Sequence, residues 1–294
     1  MNFLKLIVCV LFLPFYSHSQ IILNGKAVEA TTGKPIPYAT VGLVKQNVGA
    51  NANAYGEFII TCQRPELDSL IISCIGYKPI LFPVRDLRTN PIVALSVSEK
   101  RLKPVVIKNQ WMYSEVGSYK KSQDYCFTSS GFQSHVARKL VVPSANAQIQ
   151  TIEVRTSKHR PVKSMFRIHV YRVDSLTQGP GEELTDTVIE SSAKWGLVSI
   201  DMLPYQIWLP ENEFFVAVEW LRIPVNEYRS SSKYEGKDTV VQTYNPCICF
   251  TKDVTTSLTE TWGLSYSGKW YPSTLAMVPK EPGYSLAISA TVKY

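Results

Sequence analysis

Short β-rich runs broken by turn signals, spaced roughly 8–12 residues apart, fill the chain from Ile21 to about Ile107 and leave little room for anything but a small β-sandwich. The runs lie at residues 22–28, 39–45, 57–62, 69–75, 78–84 and 92–96. Turn residues such as Asn53-Ala54-Tyr55-Gly56 punctuate them, and no capped helical periodicity intervenes. Gly33 permits a tight turn, and Pro35 fixes the entry into the next strand. Gly56 closes the turn before Phe58, which points inward with Ile60 on a period of two. Gly76 ends a strand where Tyr77 can pack its ring and keep its hydroxyl wet. All of these are structural tasks.

The same residues carry a family resemblance. The stretches Asn24-Gly25-Lys26-Ala27-Val28 and Thr32-Gly33-Lys34-Pro35-Ile36-Pro37-Tyr38-Ala39-Thr40-Val41 resemble the opening of carboxypeptidase regulatory-like domains. Gly49, Asn51 and Gly56-Glu57-Phe58 resemble the middle of that pattern, and residues 70–77, ending Gly76-Tyr77, its closing strand. The resemblance runs over residues 21–98 and implies a transthyretin-like, seven-strand sandwich without catalytic residues. Such domains also precede the plug of TonB-dependent outer-membrane receptors, and residues 102–107 are similar to the short apolar segment that follows there. The residues after Ile107 are too few for a plug and large barrel, so transport does not carry over.

Beyond a linker at 99–110, residues 111–294 read as a second, larger domain, a jelly-roll-like β-sandwich, so the fold class is all-β. Phe166, Ile168 and Val170 alternate with Arg167, His169 and Tyr171, a half-buried strand whose polar face is expected to meet solvent. Phe214 to Leu221 is apolar on both faces, residues 226–238 are polar and expected to be mobile, and 266–270 mark a hairpin. Tyr284, Leu286, Ile288, Ala290, Val292 and Tyr294 alternate to the end, a pattern similar to the last strand of an outer-membrane barrel. A sandwich strand explains it equally well, and the preceding segments lack the barrel rhythm.

Lys5 and the apolar run 6–13, followed by Pro14 and Ser17-His18-Ser19, form a signal peptide over residues 1–19. Export then permits, without requiring, disulfides among Cys62, Cys74, Cys126, Cys247 and Cys249. Their odd number leaves at least one thiol unpaired internally. Cys247 and Cys249 are too constrained on one strand face to join each other, and buried thiols are the expectation. A formal net charge of +7 is too thin for a nucleic-acid surface. Basic clusters at Lys100-Arg101-Leu102-Lys103 and Lys158-His159-Arg160 read as solvated charge.

No catalytic constellation emerges. His135, His159 and His169 are followed three residues on by Arg138, Val162 and Arg172, so none has the His-x-x-Glu spacing of a zinc peptidase. Gly263-Leu264-Ser265-Tyr266-Ser267 fails as a nucleophile elbow, and phosphate-binding glycine loops and a calcium loop are absent. Catalytic residues, metal ligands and cofactors are therefore expected to be none, although spacing along the chain does not decide whether distant histidines assemble a metal triad. The hint of a ligand comes from tryptophan, because an indole can stack on a sugar ring. Trp208, beside Pro210, and Trp270, beside the Ser267-Gly268 turn, are the better exposed candidates. The expectation is an exported, non-enzymatic protein of a Gram-negative periplasm, outer membrane or cell surface, binding a glycan or another envelope protein and lacking a transmembrane helix. A small outer-membrane barrel with a periplasmic sandwich is the first alternative, and an accessory to carbohydrate or peptide processing the second.

Overall fold

The computed structural model describes residues 20–63, 68–98, 110–118, 125–129, 131, 133–157, 163–234, 237–252, 261–272 and 284–294. The expected leader, the basic linker cluster at 100–103 and the 158–160 cluster with His159 lie outside the described residues.

The chain is all-β. Its first unit contains β1 (Ile21–Glu29), β2 (Thr40–Leu43), β3 (Val48–Asn51), β4 (Glu57–Cys62), β5 (Ser69–Ser73), β6 (Ile80–Pro83) and β7 (Ile92–Leu95), with a four-residue helix α1 (Val84–Leu87) before β7. One sheet runs β4-β1-β7, antiparallel then parallel, and the other β3-β2-β5-β6. The alternation seen in sequence is the reason for the sandwich: Leu23, Phe58 and Ile60 from one sheet meet Val41, Leu70 and Ile72 from the other.

The residues that carry the resemblance hold this unit together. A Cβ on Gly25 would run into the Phe58 ring, which is itself buried. Gly33 turns the chain after β1, and Pro35 bridges to Val28. Gly76 ends the segment after β5, and Tyr77 donates its hydroxyl to Glu29 Oε2 at 3.1 Å. Gly56 has φ +74°, and a Cβ there would crowd the Ala27 carbonyl. Gly56→Val is therefore expected to cost on the order of 1–3 kcal/mol. Thermal melting checks this, and an unchanged midpoint would mean that the turn tolerates a side chain.

The second unit begins with β8 (Tyr113–Gly117), β9 (Cys126–Ser129), β10 (Gln133–Val141), β11 (Ala147–Thr156), β12 (Ser164–Val173), β13 (Pro180–Glu183), β14 (Ile189–Ala193) and β15 (Gly196–Asp201). It continues through β16 (Trp208–Leu209), β17 (Glu213–Trp220), β18 (Glu227–Tyr234), β19 (Lys237–Lys252), β20 (Thr261–Ser265), β21 (Trp270–Pro272), β22 (Tyr284–Leu286) and β23 (Ile288–Lys293). One sheet is ordered β13-β12-β17-β10-β20-β21, with β14 also on β12. The other is ordered β18-β19-β11-β23-β8, with β9 and β22 on β19 and β15 and β16 on β11. Phe166, Val216 and Trp220 of the first sheet pack against Ile152, Ile248 and Ile288 of the second. Trp220 anchors the core, its indole N–H donating to the Pro246 carbonyl at 2.8 Å.

Several expectations change. The polar stretch 226–238, given no strand by its sequence, carries β18, which pairs with β19, because cross-strand backbone bonds do not require apolar side chains. The alternating C-terminal strand lies between β11 and β8, and Ile288, Ala290 and Val292 point into the sandwich core rather than outward as a lipid-facing band would. Not all the cysteines are thiols: Cys126 and Cys249 face each other across β9 and β19 and form a disulfide. Cys62 and Cys247 are buried thiols, as expected.

Candidate functional site

The two units dock through a buried polar network. In the second unit, the sheet containing β12, β17 and β10 has one face on the sandwich core and part of the other under the first unit. Register explains which residues meet there. On β17, Glu219 lies directly opposite His135 of β10 on one side and Arg167 of β12 on the other. His169, two residues beyond Arg167, shares their face. Three neighbouring strands thus set His135, Glu219, Arg167 and His169 in one patch, and all four are buried. This corrects the expectation that His169 is solvated: the strand's alternation is right, but its polar face is roofed.

The first unit supplies the roof. Arg167 donates to the Pro37 and Tyr38 carbonyls at 3.1 and 2.9 Å and pairs with Glu190 at 3.1 Å. Thr40 donates to Glu219 Oε1, and the Asn51 amide lies 3.4 Å from the same oxygen. Arg222 donates its backbone N–H to Asn51 Oδ1 at 2.8 Å and its guanidinium to the Gly49 carbonyl at 2.7 Å. Tyr266 lies so close that a Cβ on Gly42 would strike its carbonyl and one on Gly49 its ring. Charges this well enclosed persist only with partners on every side.

Between the units opens a cavity of about 900 Å³. Cys74, Gly76 and Tyr77 form part of one wall, and His135, His169, Glu219, Tyr171 and Trp270 part of the other. His169 is held at both ring nitrogens, with Nδ1 2.8 Å from Glu183 Oε1 and Nε2 3.0 Å from Glu219 Oε2. Burial by itself would favour its neutral form, but Glu183 and Glu219 outweigh it and raise its pKa to about 9. His135 behaves oppositely: burial, helped by the neighbouring His169, pushes its pKa down to about 3. Burial also opposes the charge on Glu219, yet the two histidines and Arg167 keep its carboxyl well below the usual carboxylate range. The thiol of Cys74 lies 4.0 Å from Arg167 Nη1, but burial still pushes it up to about 11, so it is not an activated nucleophile at neutral pH.

The two candidate tryptophans part company. Trp270 lines the cavity, edge-on to Tyr171 at 5.3 Å between ring centroids. Trp208 lies on the opposite sheet, paired with β11, its ring 6.0 Å from that of Trp111. The structure does not bring them together. What sequence reading missed is the His135–His169–Glu219–Arg167 patch. Its one signal was Glu219, a single charge inside the apolar run of β17, since a carboxylate in such a run needs a buried partner. The ligating atoms of His135, His169 and Glu219 lie within 4.8 Å of one another and could hold a metal ion.

Fold and site together define a two-unit β-sandwich protein with a charged cleft at the junction. Residues 23–107 match the CarboxypepD_reg-like domain family, which agrees with the resemblance read from the sequence, and the rest of the chain is unrecognised. No curated protein matches the sequence. Among solved structures the chain is similar to a clostridial cysteine protease after propeptide cleavage, at TM-score 0.39 and 9% identity over 77% of this chain and 51% of that one. It is also similar to the cysteine protease and lectin-like domains of a surface layer associated protein of Clostridium difficile, at TM-score 0.36 and 9% identity over 84% and 46%. A third likeness is to a candidate carbohydrate binding protein from Bacteroides uniformis, at TM-score 0.19 and 10% identity over 77% and 96%. The chain spans about half the length of the first two. Likenesses this distant say nothing of ligand or activity.

Proposed function

We propose that this is an exported, non-enzymatic binding protein of a bacterial envelope or surface, and that its ligand, a glycan, enters the cleft between the two units. The cleft carries the reading: it is large enough for a small ligand, and it combines an aromatic wall with hydrogen-bonding groups. Trp270 offers its indole for the apolar side of a sugar, with the buried Tyr171 ring packed against it. Arg172, Glu182 and Glu183 supply donors and acceptors for hydroxyls. A non-enzymatic role fits the electrostatics, because His169 is engaged with Glu183 and Glu219 and the Cys74 thiol is not activated. Among the described residues no helix is long and apolar enough to cross a membrane, which says nothing about a barrel.

Glycan-array screening of the full mature chain, followed by calorimetry on the best binder, tests the reading. Trp270→Ala is expected to weaken binding about tenfold or more, equivalent to roughly 1.4 kcal/mol. Trp208→Ala, on the far sheet, should leave the affinity unchanged. Equal losses from the two substitutions, or silence on every glycan, would sink the cleft as a sugar site.

A further inference from the structure

We propose that His135, His169 and Glu219 form a transition-metal site, taking Zn²⁺ or a similar borderline divalent ion, at the wall of the interdomain cleft. Two imidazoles and one carboxylate are a donor set suited to such ions and leave coordination positions for a ligand or water. The three ligating atoms already lie within 4.8 Å of one another, so small side-chain adjustments bring them around one ion. All three side chains are buried and held by rigid strands, which keeps the donors in place. All three also line the cleft, so remaining positions on the ion face space rather than packed core.

The surrounding bonds suit the assignment. His169 meets Glu183 through Nδ1, which leaves Nε2, the nitrogen beside Glu219, for the ion. A carboxylate behind a ligating imidazole orients the ring and strengthens its basicity. His135 meets Ser134 Oγ through Nδ1 at 2.9 Å, leaving its Nε2 available. Glu219 binds Thr40 and Asn51 through Oε1, while Oε2 faces His169. On binding, the ion takes the place of the proton between His169 Nε2 and Glu219 Oε2, and that proton leaves to solvent. Arg167, 3.8 Å from Glu219 Oε2, opposes a second cation and limits the affinity. Thr40 and Asn51 come from the first unit and the three ligands from the second, so the ion would tie docking to the cleft.

This assignment deepens the cleft reading, and the metal is tested alone, without sugar, so that the two fail separately. The full mature chain, stripped with chelator, is titrated with Zn²⁺ by calorimetry and with Co²⁺ by visible absorption. One equivalent bound at micromolar dissociation constant or tighter is expected, with a cobalt spectrum of nitrogen and oxygen ligation. His135→Ala is expected to weaken binding at least about a hundredfold. If that variant does not fold, Glu183→Gln, which touches the ion only through His169, should weaken binding roughly 10–100-fold. No stoichiometric binding by the wild-type chain overturns the assignment. So do thiolate charge-transfer bands in the cobalt spectrum, or wild-type affinity in a folded His135→Ala or Glu183→Gln chain.

Discussion

Replacing Arg167 with methionine is expected to lower the melting temperature of the chelator-treated chain by roughly 6–20 °C, from a loss of about 3–5 kcal/mol. The guanidinium is 2% exposed and lies between two carboxylates, Glu190 and Glu219, and two carbonyls of the first unit, Pro37 and Tyr38. Methionine fills much of the same volume, so the loss is electrostatic rather than a cavity. It leaves Glu219 buried with less compensation and removes the guanidinium donors from the Pro37 and Tyr38 carbonyls. Because the stranded charge is the main penalty, adding Glu219→Gln should recover part of the loss, a coupling that a double-mutant cycle measures. Circular dichroism melting checks the single variant, and limited proteolysis should show the first unit released more readily. A midpoint within about 2 °C of wild type would mean that Arg167 is a bystander to docking, since a loss that small corresponds to less than about 1 kcal/mol.

Breaking the Cys126–Cys249 bond should have a comparable effect. The bond joins β9 to β19 across a sequence separation of 123 residues, so it removes much freedom from the unfolded chain. The expected loss on reduction, or in Cys126→Ser, is about 2–5 kcal/mol, seen as a drop of roughly 4–20 °C in melting temperature. Mass spectrometry of the unreduced protein should first show both cysteines protected from alkylation. If both are alkylated without reductant, the strands meet without a bond. If the bond is present but reduction leaves the midpoint unchanged, its loop closure contributes nothing.

Gly56 and the Phe58–Ile60 alternation show how local rules carry into the fold. A turn that needs positive φ, followed by residues alternating on a period of two, defines β4 and the face it buries, whatever surrounds it. The same logic places β20 and β21 on either side of the 266–270 turn, with Trp270 at its exit. The His135–His169–Glu219 cluster has no such local mark. Its members lie on three strands far apart in the chain and become neighbours only through the order β12-β17-β10.

By itself the sequence determined the all-β class, the turns of the first unit, its family resemblance and which residues of β12 share a face. Those properties depend on backbone sterics and on a side-chain period that spans only a few residues. Tertiary structure alone decided what covers each face. The alternation on β12 separates Arg167 and His169 from Phe166 and Ile168, but does not say whether the polar side meets water or a second unit. Docking of the Pro37–Thr40 and Gly49–Asn51 segments turned that side into a buried charge network and opened the cleft beside it. The disulfide was decided in the same way, because pairing of β9 with β19, and not spacing along the chain, brought Cys126 to Cys249. Strand order and unit docking are settled by the summed burial of many distant residues, and no short window of sequence contains that sum.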